Sequence, residues 1–179
     1  PCLVAIGGLS GSGKSTVALR MAPEIGAAPG ALVARSDEVR KRLAGVPLLS
    51  RLGSEGYDPE SSRRVYSTAA AQAAAAVRAG HSAIVDAVFA QPTDRAAIEG
   101  VAAAEGAPFV GLWLEAPESI LIERAQQRQR DPSDADAAVI RMQLANGTGH
   151  IGWRHIDASR AVDAVVQEAI ARVEAQRGS

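Results

Sequence analysis

The sequence predicts an α/β fold in which βαβ units build a parallel sheet, and three observations carry that prediction. Short apolar runs rich in β-formers alternate with helix-patterned stretches along the whole chain. A glycine-rich motif, Gly8-Leu9-Ser10-Gly11-Ser12-Gly13-Lys14-Ser15, stands between the first such run and the first helical pattern. The length, 179 residues, suits one domain with a substantial core.

Element by element, Leu3-Val4-Ala5-Ile6 reads as a buried first strand, and Thr16 to Ile25 as an amphipathic helix. Ala31–Ala34 is a second strand, followed by a helix from near Asp37 to about Ala44. Gly45 to Pro59 is rich in Gly, Pro and Ser and reads as a mobile loop. An alanine-rich helix spans about Glu60 to Ala79 and ends at Gly80. Ala83–Asp86 is a third strand, and Gln91-Pro92-Thr93 opens the next helix with proline near its start. Phe109–Leu114 is a fourth strand. A helix then runs from Pro117 towards Arg130, where Asp131-Pro132-Ser133-Asp134 breaks it, and another covers about Ala135 to Leu144. Asn146 to Gly152 is loop, Trp153–Ile156 a short fifth strand, and Ser159 is expected to cap the last helix.

Composition narrows the functions available. Apolar residues make up 47% of the chain, with no run long enough to cross a bilayer and no signal-peptide pattern. A net charge of −1 argues against a surface built for long nucleic acids. The single cysteine, Cys2, cannot close an internal disulfide, which points to a cytoplasmic setting. The chain opens at Pro1 without an initiator methionine and reads as a domain cut from a longer protein. Lysine occurs only at 14 and 41, so further cationic stabilisation must come from arginine. The same scarcity excludes an N-K-x-D guanine-reading motif and favours ATP.

The chemistry follows from the motif. Glycines let the backbone curl so that successive N–H groups point inward, and the helix dipole adds positive character there. Gly8, Ser10, Gly11, Ser12, Gly13, Lys14, Ser15 and Thr16 are therefore the expected ATP-binding residues, with Lys14 on the β/γ-phosphates and the Ser15 hydroxyl on Mg²⁺. Asp37, just beyond the second strand, can accept a proton from an acceptor hydroxyl, and Arg40 lies one turn on. Asp86 closes the third strand as a metal-holding aspartate would. The residues alone leave open which of Asp37 and Asp86 is nearer the metal. Arg95, one turn into the helix after Asp86, faces either the acceptor pocket or water. Arg124, Arg128 and Arg130 enter a helix–break–helix segment, about 124–140, that reads as a lid over ATP. The loop Asp157–Arg160 is the expected place for adenine contacts.

With these residues in place, the chain resembles the P-loop kinases grouped with polynucleotide kinase, zeta-toxin and chloramphenicol phosphotransferase. It is more closely similar to the "AAA family ATPase" kinase domains often fused to an aminoglycoside-phosphotransferase-like domain. The resemblance rests on Gly8–Ser15, Arg35 to Leu43, Ile84 to Phe89, and Arg124, Arg128 and Asp131–Asp136. It implies a P-loop NTPase fold: five parallel strands in the order 2-3-1-4-5, helices on both faces and a short helical lid. It also implies Asp37 as the base, Arg40 as an acceptor or phosphate contact, and Arg124 with Arg128 as lid arginines. Polynucleotide kinases often carry Asp-Asn-Thr where this chain has Asp86-Ala87-Val88, which weakens a nucleic-acid substrate.

The expected activity is ATP- and Mg²⁺-dependent transfer of the γ-phosphoryl group to a hydroxyl of a small molecule. Two alternatives stand beside it: an ATP-binding module that regulates a fused or partner phosphotransferase-like domain, and a 5′-hydroxyl polynucleotide kinase.

Overall fold

The computed structural model describes residues 1–127 and 131–177. Five strands form one sheet in the order β2-β3-β1-β4-β5, and every adjacent pair is parallel. They are β1 (Leu3–Gly7), β2 (Leu32–Arg35), β3 (Ala83–Asp86), β4 (Phe109–Glu115) and β5 (Arg154–Asp157). The helices are α1 (Lys14–Met21), α2 (Ser36–Leu43), α3 (Pro59–Arg78), α4 (Pro92–Ala104), α5 (Glu118–Gln127), α6 (Ala137–Asn146) and α7 (Val162–Arg177).

The two-residue period of a strand divides β1 between two cores. Cys2, Val4 and Ile6 join the α1 and α7 side with Val17, Leu112 and Val166, whereas Leu3 and Ala5 join the α3 and α4 side with Val65, Ala73 and Ile98. A strand buried on both faces is apolar at every position, which is why β1 shows no polar alternation. Cys2 is buried, and its backbone N–H donates to the Ser82 hydroxyl at 3.1 Å.

Several boundaries differ from those expected. The first helix begins at Lys14, and its α-helical part ends at Met21, where Pro23 is accommodated by a 3₁₀ turn, Ala22–Glu24. β2 stops at Arg35 and α2 starts at Ser36, so Asp37 sits in the first turn of a helix. α3 starts at Pro59 because the Asp58 carboxylate accepts from the Glu60 and Ser61 N–H groups. Asp136 caps α6 in the same way. Ser159 does not cap α7. Its N–H and hydroxyl both donate to Asp157, at 2.9 and 2.6 Å, closing a turn after β5 three residues before the helix. Among the described residues no helix is long and apolar enough to cross a membrane.

Candidate active site at the carboxyl edge of the sheet

In a parallel sheet the carboxyl ends of all strands face one crevice, and the glycine-rich loop between β1 and α1 lies on that edge. Gly11 and Gly13 have φ of +87° and +86°, a conformation L side chains rarely adopt. Gly11 also lies against α5: a Cβ there would come within 2.2 Å of the Leu121 carbonyl oxygen. α1 has no side-chain cap at its N-terminus, so the first-turn N–H groups of Lys14, Ser15 and Thr16 remain available to an anion.

The loop does not offer every amide expected of it. The Gly8 N–H donates to the Val88 carbonyl at 3.2 Å, and the Ser12 N–H to the Leu9 carbonyl at 3.1 Å. The Ser10 N–H donates to Gln143 Oε1 at 3.0 Å, while Gln143 Nε2 donates back to the Ser10 hydroxyl at 3.1 Å. These three residues build and anchor the loop. The remaining cradle comprises Gly11, Gly13 and the start of α1, and the buried Ser12 hydroxyl has no partner among the described residues.

Asp86 stands across from Lys14 and Ser15. It is 3% exposed, and its Oδ1 has no hydrogen-bond partner among the described residues. Burial pushes the carboxyl up from its ordinary value and the charge of Asp37 adds to this, against the pull of Lys14, Ser15 and Arg35. Arg35 Nε lies 3.5 Å from Asp86 Oδ2. A buried carboxylate oxygen without a donor, facing a serine hydroxyl, fits a hard cation.

Asp37 is half-buried in the first turn of α2, and its charge is felt at Asp86, Tyr57 and Tyr66. Arg40 turns away from a free acceptor role. Its Nη1 donates to the Gly56 carbonyl at 2.6 Å, and its guanidinium lies 4.6 Å from the centre of the Tyr57 ring. Arg95 corrects the sequence expectation outright. It is 4% exposed and donates to the carbonyls of Phe89, Ala90, Thr148 and His150 at 2.7–3.0 Å, stapling two loops together. No N–H of its terminal nitrogens is left to spend on an acceptor.

On the nucleotide side, Arg124 Nη1 donates to the Ala158 carbonyl at 2.8 Å, tying α5 to the turn after β5. A cleft of about 310 Å³ lies beside it, lined by Gly11, Gly13, Thr16, Arg124, Arg160 and Val162 among others. Arg128 and Arg130, the other lid arginines expected, fall outside the described residues.

The acidic break between α5 and α6 provides contacts that the sequence did not reveal. Lys41, fully buried, donates to Asp134 and to the Ser50 carbonyl. Asp134 also accepts from the Leu52 N–H at 3.0 Å and the Tyr57 hydroxyl at 2.8 Å. Arg35 donates to Asp131 at 3.1 Å. The 45–59 loop, expected to be mobile, is thus fastened to the lid segment. Burial raises the Asp134 carboxyl, but Lys41, Leu52 and Tyr57 outweigh it and hold the carboxyl below its ordinary value. The scarcity of lysine was the one sequence signal pointing to Lys41, whereas nothing in the sequence marked Gln143.

A family model described as an AAA domain matches residues 3–149. Uncharacterized proteins of Mycobacterium tuberculosis and Mycobacterium bovis are 30% identical over 141 residues, 76% of this chain, and the chain spans 28% of their length. Among solved structures, the APS kinase of Mycobacterium tuberculosis in complex with AMPPNP and APS superposes with a TM-score of 0.69 at 21% identity, covering 97% of each chain. A sugar kinase from Janibacter sp. gives 0.66 at 23% identity over 97% of this chain and 94% of its own. A gluconokinase from Sinorhizobium meliloti gives 0.65 at 21% identity over 97% and 92%. These likenesses establish the P-loop kinase fold, with the sheet order already described. Because the family model spans most of its length, the chain belongs to the AAA domain family of P-loop proteins.

Proposed function

We propose that the protein is a kinase that transfers the γ-phosphoryl group of ATP to a hydroxyl of a small molecule. The observation that carries this reading is the pairing of an uncapped helix N-terminus at Lys14–Thr16 with a buried, under-coordinated Asp86 and an acidic neighbour, Asp37, at one sheet edge. The triphosphate lies along Gly11, Gly13 and the start of α1, with Lys14 on its β/γ oxygens. Adenine fits the cleft between Arg124 and the 158–162 turn. Ser15 and Asp86 would hold Mg²⁺, which would supply charge neutralisation at the phosphate oxygens when bound.

Asp37 accepts the proton of the acceptor hydroxyl. The acceptor oxygen forms its bond to the γ-phosphorus as the bond to the β–γ bridging oxygen breaks, and the electron pair leaves with ADP. Arg124, held on the Ala158 carbonyl, flanks the adenine cleft, and α6, pinned to Ser10 through Gln143, helps exclude water.

The test is label transfer from γ-labelled ATP to a panel of sugars, amino sugars, amino alcohols, nucleosides and hydroxy acids. Asp37→Asn is expected to slow transfer to the preferred acceptor by about 10²–10⁴-fold while leaving the ATP affinity within a factor of about two. Absence of transfer to every acceptor, with ADP release identical in wild type and Asp37→Asn, overturns the reading. That outcome together with tight ATP binding would instead favour a regulatory module, an alternative motivated by the greater length of the mycobacterial relatives.

A further inference from the structure

A small cavity of about 190 Å³ is lined by Ser36, Arg63, Tyr66, Ala87, Phe89 and Asp94 among others, and the charge of Asp37 is felt at Tyr66 in its wall. It opens between α2, α3, α4 and the end of β3, on the α3/α4 face of the sheet. Three features mark it as more than a packing gap. Ser36, a polar residue only 8% exposed, lines the cavity. Phe89, in the cavity wall, has φ of +51°, a strained conformation for a bulky side chain. It is held there by its N–H donating to the Tyr66 hydroxyl at 3.1 Å and by edge contact with the Tyr66 ring. Asp94 is half-buried, and its carboxylate has neither a hydrogen bond nor an ion pair among the described residues. Its neighbour Arg95 cannot pair with it directly, since that guanidinium is committed to four carbonyls.

Two opposite charges line this cavity, and their exposure decides between them. Arg63 is exposed, so water already solvates its guanidinium and an anion would gain little there. Asp94 has lost part of its hydration against Tyr66, Ala97 and Ile98, and burial pushes its carboxyl up despite Arg95. A partly desolvated carboxylate without a partner is the group that gains from a cation. Because the volume is below that of drug-sized pockets, the ligand must be small.

We propose that this cavity is the acceptor subsite and selects a hydroxyl compound that also carries a protonated amine, an amino alcohol or amino sugar, whose ammonium pairs with Asp94. The proposal rests on the kinase reading above and names the substrate class for that site. The Ser36 hydroxyl orients the ligand, and the reactive hydroxyl is directed toward Asp37, the next residue in the chain.

The test compares matched acceptors differing only in the amine: glucosamine with glucose and with N-acetylglucosamine, and ethanolamine with ethylene glycol. Wild type is expected to favour the amine member of at least one set by about tenfold or more in kcat/KM. Acetylation should remove that advantage, and Asp94→Asn should remove it through KM, with kcat nearly unchanged. Asp94→Glu should retain part of it. Equal use of amine and neutral acceptors by wild type overturns the proposal, and this arm needs no variant to fold. A preference that survives Asp94→Asn overturns it as well. The kinase reading fails separately, by absence of transfer to any acceptor. Calorimetric binding of the amines in the presence of a non-hydrolysable ATP analogue then decides the cavity on its own: Asp94-dependent binding supports the subsite, and no binding removes it.

Discussion

Arg95 spends its guanidinium on four carbonyls, two after β3 and two in the loop before β5. Replacing it by alanine strands those acceptors in a buried place, so Arg95→Ala is expected to lower unfolding free energy by about 3 kcal/mol. Urea denaturation measures this, and ATP affinity per folded molecule should stay near wild type. A variant as stable as the parent would contradict the stapling role. Spacing alone gave Arg95 an acceptor role because a helical position one turn beyond Asp86 does not reveal what its side chain meets. Lys14, Ser15 and Asp86 were legible for the opposite reason. Their position is tied to a local motif and a strand end, which the sequence displays directly. Asp37 was legible as a residue of the edge near a helix start, but its place inside the first turn was not, since α2 begins at Ser36 with no side-chain cap.

At the scale of elements, the clasp between the 45–59 loop and the α5–α6 break is the feature least visible in the sequence. Its members, Lys41, Ser50, Leu52, Tyr57 and Asp134, are separated by up to 93 residues and share no periodicity. Helices and strands were read from patterns repeating every two or about four residues, and a contact of this range leaves no such trace. The clasp couples the 45–59 loop to the α5–α6 break, so the two move together or not at all. Lys41→Met removes the cation from a buried pair and is expected to cost about 3 kcal/mol of stability. It should also raise KM for ATP and acceptor together, whereas independent motion would raise only one. The pH dependence has a defined sign. Asp134 is held below its ordinary carboxyl value, so its stabilisation is complete above about pH 4 and fades as pH falls through the depressed value. The unfolding free-energy difference between wild type and Asp134→Asn should be flat from about pH 7 to 5 and shrink in stronger acid. A difference that grows in acid would mean that another group supplies the clasp.

Over the whole molecule, the order β2-β3-β1-β4-β5 turns scattered sequence into one site. It sets β3 beside β1, so Asp86 meets Lys14 and Ser15 across a single strand pair, with Ile6 in register with Asp86. It sets β2 outside β3, so Arg35 pairs in register with Asp86 and Asp37 follows onto the same edge. The parallel class was legible because apolar strands alternated with helices. The strand order came only through family resemblance, since pairing partners 80 residues apart are not encoded in local pattern. The central claim is that Asp86 and the start of α1 together form a site for a metal-bound triphosphate. Calorimetric titration with a non-hydrolysable ATP analogue, with and without Mg²⁺, tests it on wild type and Asp86→Asn. Wild type should bind the analogue about tenfold or more tightly with Mg²⁺ than without, a difference of about 1.4 kcal/mol, and Asp86→Asn should lose that gain while keeping its metal-free affinity. An undiminished Mg²⁺ effect in Asp86→Asn would contradict the account.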